Sequence, residues 1–217
     1  MSKISRHIHI NGIVQGVGFR PFVYNLAKKH DLTGWVRNSA SGVDIEVTGE
    51  LIPISAFQEE LSHNAPPLAQ IDSIDIHPIE TQRTEGFKIT SSEDRGSDFI
   101  PISPDIAICD QCKSELFNPQ DRRFRYPFIN CTNCGPRFSI IKNIPYDRPK
   151  TTMASFEMCS DCQKEYNDPQ DRRFHAQPLA CPVCGPQIWL EFIPGKVCLE
   201  KDDAIKEARL LLKEGKI

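Results

Sequence analysis

"VQGVGFRPF" (residues 14–22) sets two glycines, a glutamine, one arginine and a proline among apolar residues. Upstream, "RHIHINGIV" (6–14) alternates and ends just before Gly16, which predicts a strand. Downstream, "RPFVYNLAKKHDL" (20–32) puts Phe22, Val23, Leu26 and Ala27 on one helical face, with Pro21 in the first turn. The stretch is therefore a strand-to-helix connection. Glycines at 16 and 18 let backbone N–H groups turn inward as a nest, and the helix start adds partial positive charge. Arg20 supplies a planar fork suited to phosphate oxygens. Taken alone, the same residues also describe a glycine-rich turn with a surface arginine.

The flanking sequence extends this start. "TGWVRNS" (33–39) and "VDIEVTGE" (43–50) read as strands joined by a short turn. "PISAFQEELSHN" (53–64) reads as a helix with Phe57 and Leu61 on one face. "IDSIDIHPIE" (71–80) reads as a strand, and "GFKIT" (86–90) extends it or adds an edge. The order β-α-β-β-α-β predicts an α+β ferredoxin-like unit with both helices on one sheet face. Asn38, in "RNSASG", is by itself an ordinary turn residue.

"GIVQGVGFRPFVYNLA" followed by "GWVRNSASGVDIEVTGE" resembles the acylphosphatase family, over about residues 5 to 90. The resemblance implies that the loop of Gln15, Gly16, Val17, Gly18, Phe19 and Arg20 wraps a phosphate. It implies that Arg20 binds that phosphate and that Asn38 orients the attacking water. Hydrolysis of an acyl phosphate needs no metal and no covalent nucleophile, only a positioned water and charge stabilisation.

The rest of the chain is built differently. All nine cysteines of the 217 residues lie at position 109 or later. "CDQCKSELFNPQDRRFRYPFINCTNCGP" (109–136) aligns without gaps to "CSDCQKEYNDPQDRRFHAQPLACPVCGP" (159–186) at an offset of 50, each copy reading C-x2-C-x18-C-x2-C. That spacing points to two structural zinc ions in closed four-thiolate sites. The simplest assignment is Cys109, Cys112, Cys131 and Cys134 for one ion and Cys159, Cys162, Cys181 and Cys184 for the other. Pairing across the copies is equally open to the spacing. Disulfides or redox C-x-x-C pairs are the competing readings. The first residues show no secretory h-region, so a cytoplasmic protein with reduced thiols is expected. His175, where the first copy has Arg125, reads as a surface histidine or one beside the zinc ligands. Cys198, outside the copies, reads as a plain buried thiol.

Charge argues against two partner classes. The whole chain carries a formal −3, and residues 105–190 hold 11 Lys+Arg against 10 Asp+Glu before any zinc thiolates are counted. Neither nucleic acid nor an anionic membrane is an expected partner, and no apolar run reaches bilayer length. The DRRF charges are expected to pair within each copy. In the link "RFSIIKNIPYDRPKTTMASF" (137–156), Phe138, Ile140, Ile141, Ile144 and Tyr146 look like packing residues that make the two copies one body. The expected divisions are 1–92, a linker at 93–104, the zinc unit at 105–190, and a tail at 191–217. That tail holds a helix from about 202 to 214, with Ala204, Ile205, Ala208, Leu211 and Leu212 as its apolar stripe and Gly215 closing it.

An acylphosphatase-like unit, twin "PQDRRF…CGP" modules and this tail helix resemble the HypF family of carbamoyltransferases, which serve the maturation of [NiFe] hydrogenases. The resemblance implies carbamoyl phosphate as substrate and release of its phosphate at the Arg20 and Asn38 site. It implies HypE as the eventual acceptor of the carbamoyl group, on the way to the iron cyanide ligands. ATP is used by the family in a YrdC-like domain, of which "AIKEARLLLKEGKI" resembles only the opening helix. The competing reading is a zinc-stabilised protein-binding module whose first domain has lost catalysis.

Overall fold

The computed structural model describes residues 3–81, 84–93, 101–193 and 196–216, with the side chains of 193 and 196–198 left undescribed. Cys198 and most of the expected linker (94–100) therefore lie outside the described side chains.

The first unit runs β1 (Ile4–Ile13), α1 (Phe19–Lys29), β2 (Thr33–Ser39), β3 (Gly42–Gly49), α2 (Leu51–His63), β4 (Gln70–Ile79) and β5 (Phe87–Ile89). The strands form one sheet in the order β4-β1-β3-β2-β5. Its four long strands pair antiparallel, as hairpins and split β-α-β crossings require, and β5 adds a parallel edge to β2. "GFKIT" is thus a separate edge strand. Every expected element of this half is present, with ends moved by at most three residues, the largest shift at the end of α1.

Both helices cover one face of the sheet. Val23, Leu26 and Ala27 of α1 and Ile54, Phe57 and Leu61 of α2 meet Ile8, Ile10, Val36, Val43, Ile45 and Val47 in a single buried cluster. Phe22 only borders that cluster, and Phe19 takes the buried position instead. Phe57 is fully buried, and truncating such a side chain costs about 3–5 kcal/mol. Alternation along β2 puts Gly34, Val36 and Asn38 on the covered face, so the strand's end delivers Asn38 beneath the β1–α1 loop.

The second half has little apolar core. Each copy opens with a helix behind its first cysteine, α3 (Asp110–Phe117) and α4 (Ser160–Asn167). Its interior is held by buried guanidinium groups on backbone carbonyls. Arg148 donates to Gln177 O, Leu179 O and Phe156 O at 2.8, 2.8 and 2.6 Å. The copies interlock, and the DRRF arginines pair across them rather than within, contrary to expectation. Arg123 of the first copy pairs with Glu165 of the second, and Arg173 of the second with Glu115 of the first. The reason is geometric: Asp121 and Asp171 are occupied locally, each accepting from the N–H two residues on at 2.7 Å. Burial raises the Glu115 and Glu165 carboxyls, yet the paired arginines hold both below the ordinary carboxylate value.

The tail contains a hairpin the sequence reading missed, β6 (Trp189–Ile193) with β7 (Lys196–Glu200), before α5 (Lys201–Lys213). Of the α5 stripe only Ala204 is buried; Ile205, Ala208 and Leu211 are half-buried and Leu212 is exposed. Gly215 adopts φ 74° and donates to Leu212 O, closing the helix as expected.

Candidate active site and thiolate clusters

The loop between β1 and α1 turns on two left-handed glycines, Gly16 at φ 75° and Gly18 at φ 79°. A Cβ on Gly16 would come within 3.1 Å of the Arg137 side chain, so the residue also admits a close neighbour. Gly18 is the N-cap of α1 and supplies no side-chain cap. Among the described residues no acceptor takes the N–H groups of Gly16, Val17, Gly18 or Phe19. Val17 and Phe19 are buried, whereas Gly16 and Gly18 are half-buried. Such a run of unmatched donors at a helix start is an anion-binding geometry.

Gln15 has a different task. Its Nε2 donates to Ser39 O at 2.9 Å and Gly42 O at 2.8 Å, and its Oε1 accepts from Tyr146 N at 2.9 Å. The side chain staples the loop to the β2–β3 turn, leaving only its main chain for an anion.

Arg20 and Asn38 converge, and both are buried. They meet at a third group the sequence did not reveal. Asn38 Nδ2 donates to Tyr146 O at 3.2 Å, and Arg20 donates to the same oxygen at 3.4 Å and to Asp147 at 2.7 Å. Asn38 Oδ1 is buried and accepts no hydrogen bond.

The link between the cysteine repeats is thus a wall of this site. Arg137 reaches Gly16 O through Nε, and its other nitrogens hold Thr132 O at 2.8 Å and Pro136 O at 2.8 Å. Tyr146 is buried, which pushes its phenol up to about 12. Phe138, expected to pack, is 67% exposed instead. The second copy adds His175, Ala176, Gln177 and Pro178 to the wall. His175 therefore lies beside Arg20 and is not among the residues of either thiolate cluster. Burial and the Arg20 charge lower its imidazole to about 4, with Asp147 opposing weakly, so it is neutral at pH 7. The space enclosed is about 20 Å³, room for a single water.

The eight repeat cysteines gather within copies. Cys109, Cys112, Cys131 and Cys134 form one cluster and Cys159, Cys162, Cys181 and Cys184 the other, with all sulfurs of a cluster inside 4.8 Å. The Sγ–Sγ separations are 3.8 Å for Cys109–Cys131, 3.7 Å for Cys131–Cys134 and 3.6 Å for Cys162–Cys184. Four sulfurs each about 2.3 Å from a central zinc stand about 3.8 Å apart, so the donor set fits a tetrahedral ion and not a disulfide. Guanidinium groups again cross over: Arg122 lies 3.0 Å from Cys162 Sγ and Arg172 3.1 Å from Cys112 Sγ.

Comparison with known proteins agrees with this division. The Acylphosphatase family model matches residues 6–89, and the HypF finger model matches 108–141 and 158–191. The acylphosphatase of Thermococcus kodakarensis is 36% identical over 90 residues, which cover 41% of this chain and 98% of that one. The chain belongs to the acylphosphatase family. Over its full length it is also a homologue of HypF carbamoyltransferases. The probable carbamoyltransferase HypF of Methanocaldococcus jannaschii is 51% identical over 218 residues, covering 99% of this chain and 28% of that one. A crystal structure of full-length HypF in its phosphate- and nucleotide-bound form superposes with a TM-score of 0.91 at 53% identity, covering 100% of this chain and 28% of that one. The chain spans 28% of the length of each of these two carbamoyltransferases. Among the described residues no helix is long and apolar enough to cross a membrane.

Proposed function

We propose that the chain hydrolyses carbamoyl phosphate to phosphate and carbamate, as the acyl phosphate step of a HypF-type carbamoyltransferase. The loop amides of 16–19 and the Arg20 guanidinium receive the phosphate. Asn38 Oδ1 accepts from the attacking water. The water oxygen bonds to phosphorus, and the P–O bond to the carbamoyl oxygen breaks. Carbamate leaves with the electron pair, and the water's protons remain on phosphate. One observation carries this reading: buried Asn38 Oδ1, an acceptor without a donor, sits beside amides without acceptors. Hydrogen-bonding needs of opposite sign, side by side in one pocket, suit a water beside an anion.

Each four-thiolate cluster holds one structural zinc, with no open position for chemistry. The tail of 191–217 is the opening of a YrdC-like unit. In the longer relatives, ATP use and delivery to HypE fall to segments outside this chain. The competing reading, a docking module without catalysis, draws on Asp147 already occupying Arg20.

Phosphate release from carbamoyl phosphate by the purified chain decides between them. Turnover that vanishes in Arg20→Ala supports hydrolysis. Wild-type protein that releases none favours docking. The chain alone is expected to leave HypE uncarbamoylated even with ATP, and transfer by it would overturn that assignment.

A further inference from the structure

The pocket wall supplied by the second cysteine copy contains one polar side chain with nothing to do. Arg20, Thr132, Arg137, Tyr146 and Gln177 all line the space, and each is already hydrogen-bonded to protein through its side chain. Thr132 Oγ1 donates to Arg172 O at 2.8 Å, Tyr146 Oη to Pro136 O at 3.4 Å, and Gln177 Nε2 to Tyr166 Oη at 3.0 Å. Gln177 Oε1 accepts from Arg148 N at 2.7 Å. Besides Asn38 Oδ1, the ring nitrogens of His175 are what remains: among the described residues they make no hydrogen bond.

The ring is nevertheless held in place. It lies 4.8 Å from the Tyr166 ring and 4.7 Å from the Phe174 ring, edge-on to the latter. Phe174 in turn packs on Tyr24 of α1 at 5.2 Å, which ties the copy to the helix that carries Arg20. The His175 backbone is fixed too, its N–H on Tyr166 O at 3.0 Å and its carbonyl taking Gln177 Nε2 at 2.6 Å.

The repeat provides its own control. Arg125 holds the equivalent position of the first copy with the same left-handed backbone, φ 57° against 53° for His175. There the side chain pairs with Asp202 of the tail. The cysteine fold therefore asks only for a residue that tolerates this φ and does not ask for histidine. What differs is the surface each copy faces: the tail in the first, the phosphate loop in the second.

Resting on the hydrolytic reading above, we propose that His175 is a specificity-determining residue, and that its imidazole accepts a hydrogen bond from the amino group of the carbamoyl end. A carbamoyl phosphate presents an NH2 where acetyl phosphate presents a methyl. A neutral imidazole keeps one nitrogen lone pair for such a donor, and burial keeps this one neutral. The copy thus selects for a nitrogen-bearing acyl phosphate, while the loop and Arg20 treat all acyl phosphates alike. A site that hydrogen-bonds a substrate N–H discriminates against the analogue that lacks it.

The test compares kcat/KM for carbamoyl phosphate and for acetyl phosphate in one preparation of each variant, so the folded fraction cancels in the ratio. His175→Leu lowers the carbamoyl-to-acetyl ratio by about fivefold to tenfold, as loss of one neutral hydrogen bond predicts. His175→Asn, which restores an acceptor and suits a left-handed backbone, recovers most of it. A ratio unmoved in His175→Leu, or equally low in both variants, overturns the role of His175 while leaving hydrolysis intact. Failure of the wild-type chain to hydrolyse either compound overturns the hydrolytic reading itself.

Discussion

Arg20 and Asp147 lie 127 positions apart in the chain, and their side chains meet at 2.7 Å. One comes from the loop of the ferredoxin-like unit, the other from the link between the cysteine copies. The guanidinium expected to hold a phosphate is therefore already paired with a carboxylate, which Ser92 Oγ also contacts. With about 20 Å³ enclosed, an acyl phosphate enters only as Asp147 yields its place. The carboxylate then stands as a like charge beside the incoming anion. Asp147→Asn removes that competition. KM for carbamoyl phosphate is expected to fall about tenfold, equivalent to about 1.4 kcal/mol, with inorganic phosphate inhibiting at correspondingly lower concentration. Steady-state kinetics with product inhibition measures both, and an unchanged or higher KM removes the competition from the account.

The two residues that meet Tyr146 O divide the work. On the proposed mechanism Arg20 would touch the phosphate in ground and transition states, whereas Asn38 would act on the attacking water. Asn38→Ala is expected to lower kcat about 10²- to 10³-fold with little change in KM, the range found when one preorganised side-chain hydrogen bond to the reacting groups is removed. Arg20→Ala is expected to raise KM as well and to abolish measurable turnover. Arg20→Lys keeps the charge, loses the fork, and recovers only a small part. A kcat in Asn38→Ala near that of the unaltered chain would show that the water is held elsewhere.

The first half was legible because its signals are local. The alternation of 6–14, the paired glycines and the apolar spacing of 20–32 each fix their own element, and β2 alternation alone puts Asn38 on the covered face. The cysteine clusters were legible as a count and a spacing, but not as a pairing, since sequence does not say which knuckles meet. Asp147 left no trace, and Tyr146 read only as a packing residue: a YDR run in a link is unremarkable until the fold brings it against Gly16 and Arg20. The DRRF arginines misled because their nearest carboxylates in sequence, Asp121 and Asp171, are taken up by backbone N–H groups. One legible signal, the replacement of Arg125 by His175 between the copies, was read as a surface histidine or one beside the zinc ligands, whereas the residue lines the pocket next to Arg20.

The crossed ion pairs predict that the copies melt together. Arg123 is almost wholly buried, with its guanidinium on Ala180 O at 2.9 Å and on Glu165. Arg123→Ala leaves a half-buried carboxylate short of its main partner. A loss of about 3 kcal/mol is expected, the low end for breaking such a pair. Arg122 still reaches Glu165 at 3.2 Å, which limits the damage. The expected fall in Tm is about 6–12 °C, read by circular dichroism. Because the Glu165 carboxyl is held below its ordinary value of 4.5, its share of stability is present above that pH and disappears as pH falls through the folded value. Arg123→Ala should therefore show a weaker acid dependence than the unaltered chain, and parallel acid profiles would place the carboxylate's partner elsewhere.

Metal removal separates the two halves. The first unit closes its own core, since the cluster from Ile8 to Phe87 contains no residue of the cysteine copies. The copies have no comparable core: their buried clusters are largely the cysteines themselves with Ile129, Met153, Leu179 and a few small or aromatic neighbours. Four thiolates brought within 4.8 Å without a cation repel one another, so ion binding and folding of this half are one event. A strong chelator is expected to extract two zinc ions per chain, measured by elemental analysis, and to unfold the region from 105 to 190. Tyr146, Asp147 and His175 then leave the pocket. Acetyl phosphate hydrolysis should survive, because Arg20, Asn38 and the loop belong to the part that stays folded. Preference for carbamoyl phosphate should be lost with the wall. Loss of all hydrolysis on chelation would mean that Gly16 and Arg20 keep their arrangement only while Arg137 and Tyr146 press upon them, and the two halves would then be one catalytic body.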